Sequence, residues 1–440
     1  MKKVSQSSLE QTSAREPDLG LGPQVGTRSG VETSERSERR RSPDGGTGAS
    51  EASERGGRPA PLVDIVIIGG GIMGLSIAWN LARLDPSLRI TVVEKSYLCG
   101  GASGRNGGGV RAQWSSETNI ELMKRSIALC ADFATRMRIN VWFRRGGYLF
   151  LARSEERVKQ LEASAELQRE HGLPTRVISR EEIREIVPEL STQDVLCASW
   201  NPDDAVVFPW PFVWGYAKAA KEHNVEVLTH TSVTELITEG DRVTGALTSR
   251  GAIHAKHVVV CAGAWSPEIT RMVGVELPSH PHRHEICSTE PLKPFLGPLV
   301  GDLQNGLYFS QSMRGEIVGG ISNSQVPEGL DQRSSLRFLG LYARALQKTM
   351  PILGDVKILR QWAGCYDITP DGNPLCGEVD ERPGLHVMSG FMGHGFMMAP
   401  IMGELFAKHL LYGEEKALFE RWNLRRYREG NLLHESMILG

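Results

Sequence analysis

Three glycines and one acid are the residues of this chain whose types and spacing speak first of chemistry. Gly69, Gly71 and Gly74 form G-x-G-x-x-G within VDIVIIGGGIMG (63–74), with Met73 inside the turn, and Glu94 follows twenty residues on. In such a turn the first glycine permits a tight bend and the second lets the backbone reach a pyrophosphate. The third lets helix and strand pack closely. Phosphates would rest on the helix N-terminus, where free N–H groups and the dipole favour anions. Glu94 can accept hydrogen bonds from ribose hydroxyls, and an acid there suits FAD or NAD rather than NADP.

Other segments could bring groups to the same ligand. The stretch 99–114, CGGASGRNGGGVRAQW, is dense in glycine and carries Arg105 and Arg111. Such loops let backbone approach a ligand closely. A strand ending in Ala262-Gly263-Ala264-Trp265 would do the same. His280, His282 and His284 alternate and would share one face of a strand. They read as half-exposed strand histidines or an interface, because a strand alone rarely completes a metal site. The seven cysteines are scattered without a C-x-x-C, which argues against zinc or iron–sulfur ligation. Their odd number fits a reducing cytoplasm.

These residues need elements to position them. Val63 to Ile68 is a β-branched run that predicts a buried parallel strand, and Leu75–Leu84 an apolar helix. Arg89–Val93 reads as the second strand. Ser115 or Ser116 could cap a helix striped by Ile120, Met123, Ile127, Cys130 and Ala134. Ser154 opens a further helix, and Ser179 with Glu182 makes a capping box. Strands are predicted at 147–151, 195–200 and 253–261, with 226–237 and 243–248 as a β-pair. The pattern turns antiparallel over 278–321. A helix at 334–350, a long strand at 356–366, a short strand at 385–388 and a last helix at 397–411 complete the chain.

The 440 residues carry a net charge of −2, so no polyanionic partner is implied. No run of 18 apolar residues suggests a membrane span. Residues 1–61 are rich in Ser, Gly, Glu and Arg and nearly free of large apolar residues, which predicts disorder. The acids among their arginines, and the lack of an apolar segment, speak against a presequence or secretory signal. A cytoplasmic location is the expectation.

Taken together, GGGIMG (69–74), Glu94, SGRNGG from Ser103, CAGAWS from Cys261, TPDGNP from Thr369 and SGFMGHGFMMAP from Ser389 resemble the D-amino-acid oxidase-like (DAO) family of FAD-dependent oxidoreductases. The resemblance spans about 61–413. KRSIAL, GYLFL, SWNPDD and WAG look most like sarcosine oxidase and dye-linked L-proline dehydrogenase β subunits. It implies an α/β fold: a discontinuous Rossmann-type FAD-binding domain (62–115, 192–275 and 360–413) with an inserted α+β substrate domain (116–191 and 276–359). The inserted domain would be built on a mixed, largely antiparallel sheet, with 414–440 as a C-terminal extension. It implies hydride transfer from the α-carbon of a small secondary or cyclic amino acid to flavin N5, giving an imine that hydrolyses. Oxygen, a quinone or a partner flavin would accept the electrons, and heteromeric partner subunits are implied. Alternatives are a glycine or D-amino-acid oxidase, a non-catalytic FAD-bearing assembly factor, or an NAD-dependent reductase.

The resemblance also assigns residues. Ser103, Gly104, Arg105, Asn106, Gly107 and Gly108 match a loop along the flavin and pyrophosphate. Val233 matches the segment that meets the adenine, and Gly263 the strand end near the cofactor. Gly393, His394, Gly395, Phe396 and Met397 match the loop below the flavin pyrimidine. The helix they open would favour negative charge on the reduced ring. Arg111 matches a carboxylate-holding position, and Tyr308 one where relatives place an aromatic over the substrate. Met397 stands where monomeric sarcosine oxidases have a lysine. Their flavinylated cysteine matches Gly364. Cys365 is one residue away and faces the other side of a strand, so FAD is expected to be noncovalent. The position of a covalent FMN histidine falls at Pro209, which leaves only noncovalent FMN at a subunit interface.

Overall fold

The computed structural model describes residues 62–438. The disordered tail expected over 1–61 lies outside the described residues, as do the last two positions of the C-terminal extension. The chain begins β1 (Leu62–Ile68), α1 (Ile72–Leu84), β2 (Ile90–Val93), β3 (Gly109–Val110), α2 (Glu117–Met137), β4 (Arg144–Arg145), β5 (Tyr148–Ala152), α3 (Glu155–Glu170), β6 (Arg176–Ile178) and α4 (Arg180–Ile186). It continues β7 (Cys197–Asn201), β8 (Ala205–Val206), α5 (Pro209–Glu222), β9 (Glu226–Leu228), β10 (Val233–Glu239), β11 (Arg242–Thr248), β12 (Gly251–Val260), α6 (Ser266–Arg271), β13 (His280–Pro291), β14 (Leu299–Asp302), β15 (Leu307–Gln311) and β16 (Glu316–Gly320). It closes with α7 (Leu336–Thr349), β17 (Ile358–Ile368), β18 (Leu375–Glu378), β19 (Leu385–Ser389), α8 (Gly395–Tyr412), α9 (Lys416–Arg421) and α10 (Arg425–Glu429).

The β-branched run of β1 is central to a parallel set ordered β19-β12-β1-β2-β9. Strands buried on both faces read as continuous apolar runs, as this one does. Ile68 lies opposite Val93 and Val260, so β1, β2 and β12 finish along one edge. Ligands of open α/β sheets bind outside that carboxyl edge. β10 and β11 extend the β12 side antiparallel, and β18 pairs antiparallel with β19. Ile67, Leu75, Met123, Phe212 and Met402 share a core on one face, which brings α1, α2, α5 and α8 together. Val66, Val258 and Leu424 pack on the other.

The second sheet runs β17-β13-β16-β15-β14-β5-β7-β6. Every pair is antiparallel except β14 with β5. Leu149, Ile183, Phe309, Phe338 and Tyr342 form its core with α4 and α7. A small sheet, β3-β8-β4, joins Gly109–Val110 to Ala205–Val206.

Some expectations are corrected. Residues 226–237 are not one strand. β9 pairs parallel with β2, and β10 starts after a break at which His230 has φ +50°. β7 and β17, assigned by sequence to nucleotide-binding segments, pair in the second sheet, whereas α2 packs its apolar stripe with α1 and α8. β14 and β18 went unforeseen. α5 starts at Pro209, where a proline at the first position loses no helical bond. Ser115 and Ser116 give their hydroxyls to Glu435 rather than capping α2.

The C-terminal segment is held by a buried ion pair. Arg426 meets both oxygens of Asp371, at 2.7 and 3.0 Å, and both side chains are at most 3% exposed. Burial pushes the Asp371 carboxyl up, but the Arg426 guanidinium and Tyr427 hydroxyl outweigh it and hold it below the usual value. Arg426→Met should cost about 3–5 kcal/mol by leaving a buried charge unpaired, measured by urea unfolding at pH 7. A depressed carboxylate stabilises above its unfolded pKa, so the wild-type advantage should fade as pH falls through the depressed value.

Candidate active site

A cavity of about 490 Å³ lies along the carboxyl edge of the parallel strands and reaches beneath the second sheet. At one end is the glycine turn. Gly69 has φ +118°, and a Cβ there would lie 2.4 Å from the Cys261 carbonyl oxygen. A Cβ on Gly74 would lie 2.1 Å from the Gly69 oxygen, so strand and helix touch through glycine. Gly71 is the N-cap of α1, with no side-chain cap and no acid in the first turn. Ser103 Oγ accepts the Ile72 N–H at 3.0 Å, drawing the 99–108 loop over the helix N-terminus. Glu94 is aimed by the Gly70 and Ser96 N–H groups, each at 2.9 Å.

Gly69, Gly71, Met73, Glu94, Ser103, Arg105, Asn106, Gly107, Gly108, Val233 and Gly263 all line this cavity. Gly74 and Gly104 do not. Gly74 serves the strand–helix contact, and Gly104, expected along the cofactor, instead backs onto Cys99, whose carbonyl oxygen its Cβ would meet at 2.4 Å. Arg105 is spent on structure as well as lining: its Nε and Nη1 donate to the Gly100 and Ala363 carbonyls at 2.9 Å. Cys365 also lines the cavity, and its Sγ lies 3.8 and 3.9 Å from the carbonyl oxygens of Gly329 and Asp331. These features fit a dinucleotide: a helix N-terminus with no acid in its first turn, a fixed acid at the end of β2, and a turn whose close backbone contacts a side chain at Gly69 or Gly74 would break.

The other end is built by the second sheet and α8. Gly393, His394, Gly395, Phe396 and Met397 line it where α8 begins. Their loop hangs on Asp367, which accepts the Gly390 N–H at 2.6 Å and the Ser389 hydroxyl at 3.2 Å. Arg111 is fully buried, its guanidinium 4.1 Å from the Trp114 ring centroid. It donates to the carbonyls of Gln113 and Met437, and its Nη2 lies 3.3 Å from His394 Nε2. Arginine has no acceptor, so that His394 nitrogen is unprotonated. Burial, then the Arg111 charge, pushes His394 well below its ordinary pKa.

Sequence reasoning placed Tyr308 here and missed its neighbours. His284 is buried, not half-exposed, and its Nε2 lies 3.1 Å from the Tyr308 hydroxyl. Its ring stacks on Tyr366 at 4.8 Å and on Tyr308 at 5.6 Å. Burial pushes its pKa down to about 3. Tyr148 and Leu299 complete the wall. Alternation along β13 was the only signal for His284. Nothing local marked Tyr366. Among the described residues no group of three or more His, Cys, Asp or Glu could hold a metal ion.

A Rossmann-type turn, an acid at the second strand and a cavity walled by aromatic rings beyond them define a dinucleotide-dependent oxidoreductase. Residues 64–409 match the family model DAO, FAD dependent oxidoreductase, and the chain belongs to that family. It is similar to sarcosine oxidase subunit beta of Rhodobacter capsulatus, 29% identical over 387 residues, covering 87% of this chain and 92% of the relative. Among solved structures it resembles L-proline dehydrogenase from P. horikoshii, with TM-score 0.80 and 35% identity over 85% of this chain and 100% of that one. Glycine oxidase from Geobacillus kaustophilus follows with TM-score 0.73 and 26% identity, over 79% and 94%. FAD is thus the cofactor, and bound there it supplies a two-electron acceptor. The glycine turn, Glu94, the 103–108 loop and the 393–397 loop are the residues that would hold it. No helix among the described residues is long and apolar enough to cross a membrane.

Proposed function

We propose that this chain oxidises the C–N bond of a small secondary or cyclic amino acid of the sarcosine or proline kind, releasing an imine that water hydrolyses. One observation carries the reading. Arg111 is a fully buried cation beside the ring-lined end of the cavity, and its hydrogen-bond partners are two main-chain carbonyls and a neutral imidazole, none of them anionic. Glu435 and Asp204 act on that charge through space without a hydrogen bond to it, and an amino acid's carboxylate would bond it directly through charge-assisted bonds. Tyr308 and Tyr366, stacked against His284, wall the cavity with rings suited to a ring or N-methyl group. The subunit name of the Rhodobacter relative supports extending the reading to partner subunits.

The test is anaerobic. The purified flavoprotein is mixed with a panel of N-methyl and cyclic amino acids while the visible flavin band is followed. Bleaching by one of them is the expected result, and admitting air then separates oxygen from other acceptors. Bound flavin that no amine bleaches would sink the proposal.

The site also sets a pH dependence. His284 stays neutral above about pH 3, so it presents no cation that titrates near neutrality. Only the neutral amine can give up hydride, so kcat/KM should rise about tenfold per pH unit up to the pKa of the amine itself, with a further bend near pH 7 belonging to the buried Asp204 carboxyl rather than to His284. A limb between pH 6 and 7 that disappears in His284→Asn would contradict this assignment.

A further inference from the structure

Asp204 is fully buried in the turn between β7 and β8, and nothing so far gives it a task. Its Oδ1 accepts the Ala112 N–H at 2.7 Å and Asn201 Nδ2 at 3.3 Å, and its Oδ2 accepts Gln113 Nε2 at 3.0 Å. Gln113 is itself fully buried. Its side-chain oxygen accepts the Ser199 hydroxyl at 2.6 Å, and its main-chain carbonyl accepts from Arg111 Nη1. The carboxylate therefore fixes the two residues that follow Arg111, and the guanidinium leans back onto the peptide so fixed. The Asp204 carbonyl accepts the Gly147 N–H at 2.9 Å, which ties the turn to β5 and to Tyr148 in the cavity wall.

A carboxylate is kept out of water only where hydrogen bonds or a nearby charge compensate it. Here the nearby charge is Arg111. Burial pushes the Asp204 carboxyl up to about 7, against the Ala112 N–H, the Gln113 amide and the Arg111 charge, which hold it down.

We propose that Asp204 is a positioning residue for this reaction, fixing the Arg111 guanidinium toward the substrate carboxylate through Ala112 and Gln113. This rests on the reading that Arg111 binds that carboxylate. A purely structural aspartate, when replaced, would harm flavin retention and every step alike. A positioning aspartate harms the capture of carboxylates and spares the chemistry of substrate once bound.

The experiment uses the flavin-loaded protein, with tetrahydro-2-furoate, the oxygen isostere of proline, as a carboxylate that cannot be oxidised. Its Kd is read from the shift it causes in the flavin spectrum. The limiting rate of anaerobic bleaching is read at saturating proline or sarcosine, whichever bleaches the wild type. Asp204→Asn should raise the Kd about tenfold or more, with the limiting rate changed less than about threefold. Gln113→Met should show the same split. A Kd within about twofold of wild type overturns the proposal, as does a limiting rate that falls as far as the Kd rises. If both variants lose their flavin, the role is structural and the proposal also fails. Arg111→Met separates the two levels. If it too leaves the Kd unchanged, the carboxylate reading of Arg111 has failed. If it raises the Kd while Asp204→Asn does not, only the role of Asp204 has failed.

Discussion

Arg111→Met is expected to lower kcat/KM for a carboxylate-bearing amine by about 10²- to 10³-fold while the protein stays yellow. Removing one partner of a buried, hydrogen-bonded charge pair costs about 2–5 kcal/mol, and about 1.4 kcal/mol is a factor of ten in rate. Methionine fills much of the arginine's volume, so the loss reports the charge rather than a cavity. Arg111→Lys should recover only part of it, because an ammonium lacks the planar fork that grips a carboxylate. The flavin should remain, since the glycine turn, Glu94 and the 103–108 loop do not bond to Arg111, whose one partner in the flavin-holding loops is His394. Steady-state kinetics with the flavin-to-protein ratio would measure both. A variant within about threefold of wild type would place the carboxylate elsewhere.

Gly69→Ala is expected to abolish flavin binding by destroying its cradle. At φ +118° an alanine is strained, which costs about 1–3 kcal/mol. Its Cβ would also lie 2.4 Å from the Cys261 carbonyl oxygen, a backbone atom at the end of β12 that cannot step aside cheaply. Forcing β1 and β12 apart adds about 1–3 kcal/mol, a large part of a typical stability of about 5–15 kcal/mol. The expected result is colourless, poorly soluble protein with a lowered Tm. Gly71→Ala makes the instructive contrast. Its Cβ would meet only Ser103 Oγ, at 3.0 Å. That variant should fold with a Tm near wild type and still bind FAD weakly, because the methyl group stands where a pyrophosphate would approach. Equal Tm losses in the two variants would refute the distinction between packing and approach.

What the sequence disclosed divides along the reach of its interactions. The Gly69–Gly74 turn and the Ser179–Glu182 capping box are formed by neighbours in the chain, and both appear as read. The family motifs carried Arg111, Tyr308 and His394 to one cavity. Asp204, at the end of SWNPDD, had no role legible in the sequence because the group it serves, the Ala112 N–H, is 92 positions away. Ser115 and Ser116 looked like caps because serine before a helix usually is one. Their partner Glu435 lies 320 and 319 positions on, and nothing near them announces it. The run 226–237 has the composition of one strand. Only the pairing of β9 with β2 on one side and of β10 with β11 on the other divides it.

The reach of Glu435 and Met437 bears on how the protein is made. Glu435 accepts from Ser115, Ser116 and Asn119, and the Met437 carbonyl takes a donor of Arg111 across 326 positions. Both sheets can pair while these residues are still inside the ribosomal tunnel, but the wall beside Arg111 cannot close until they emerge. The reaction chamber is therefore completed only after all the strands and helices that surround it have been synthesised. Any cut that removes residues 435–437 would strip Arg111 and α2 of these partners while leaving every strand of both sheets in the chain.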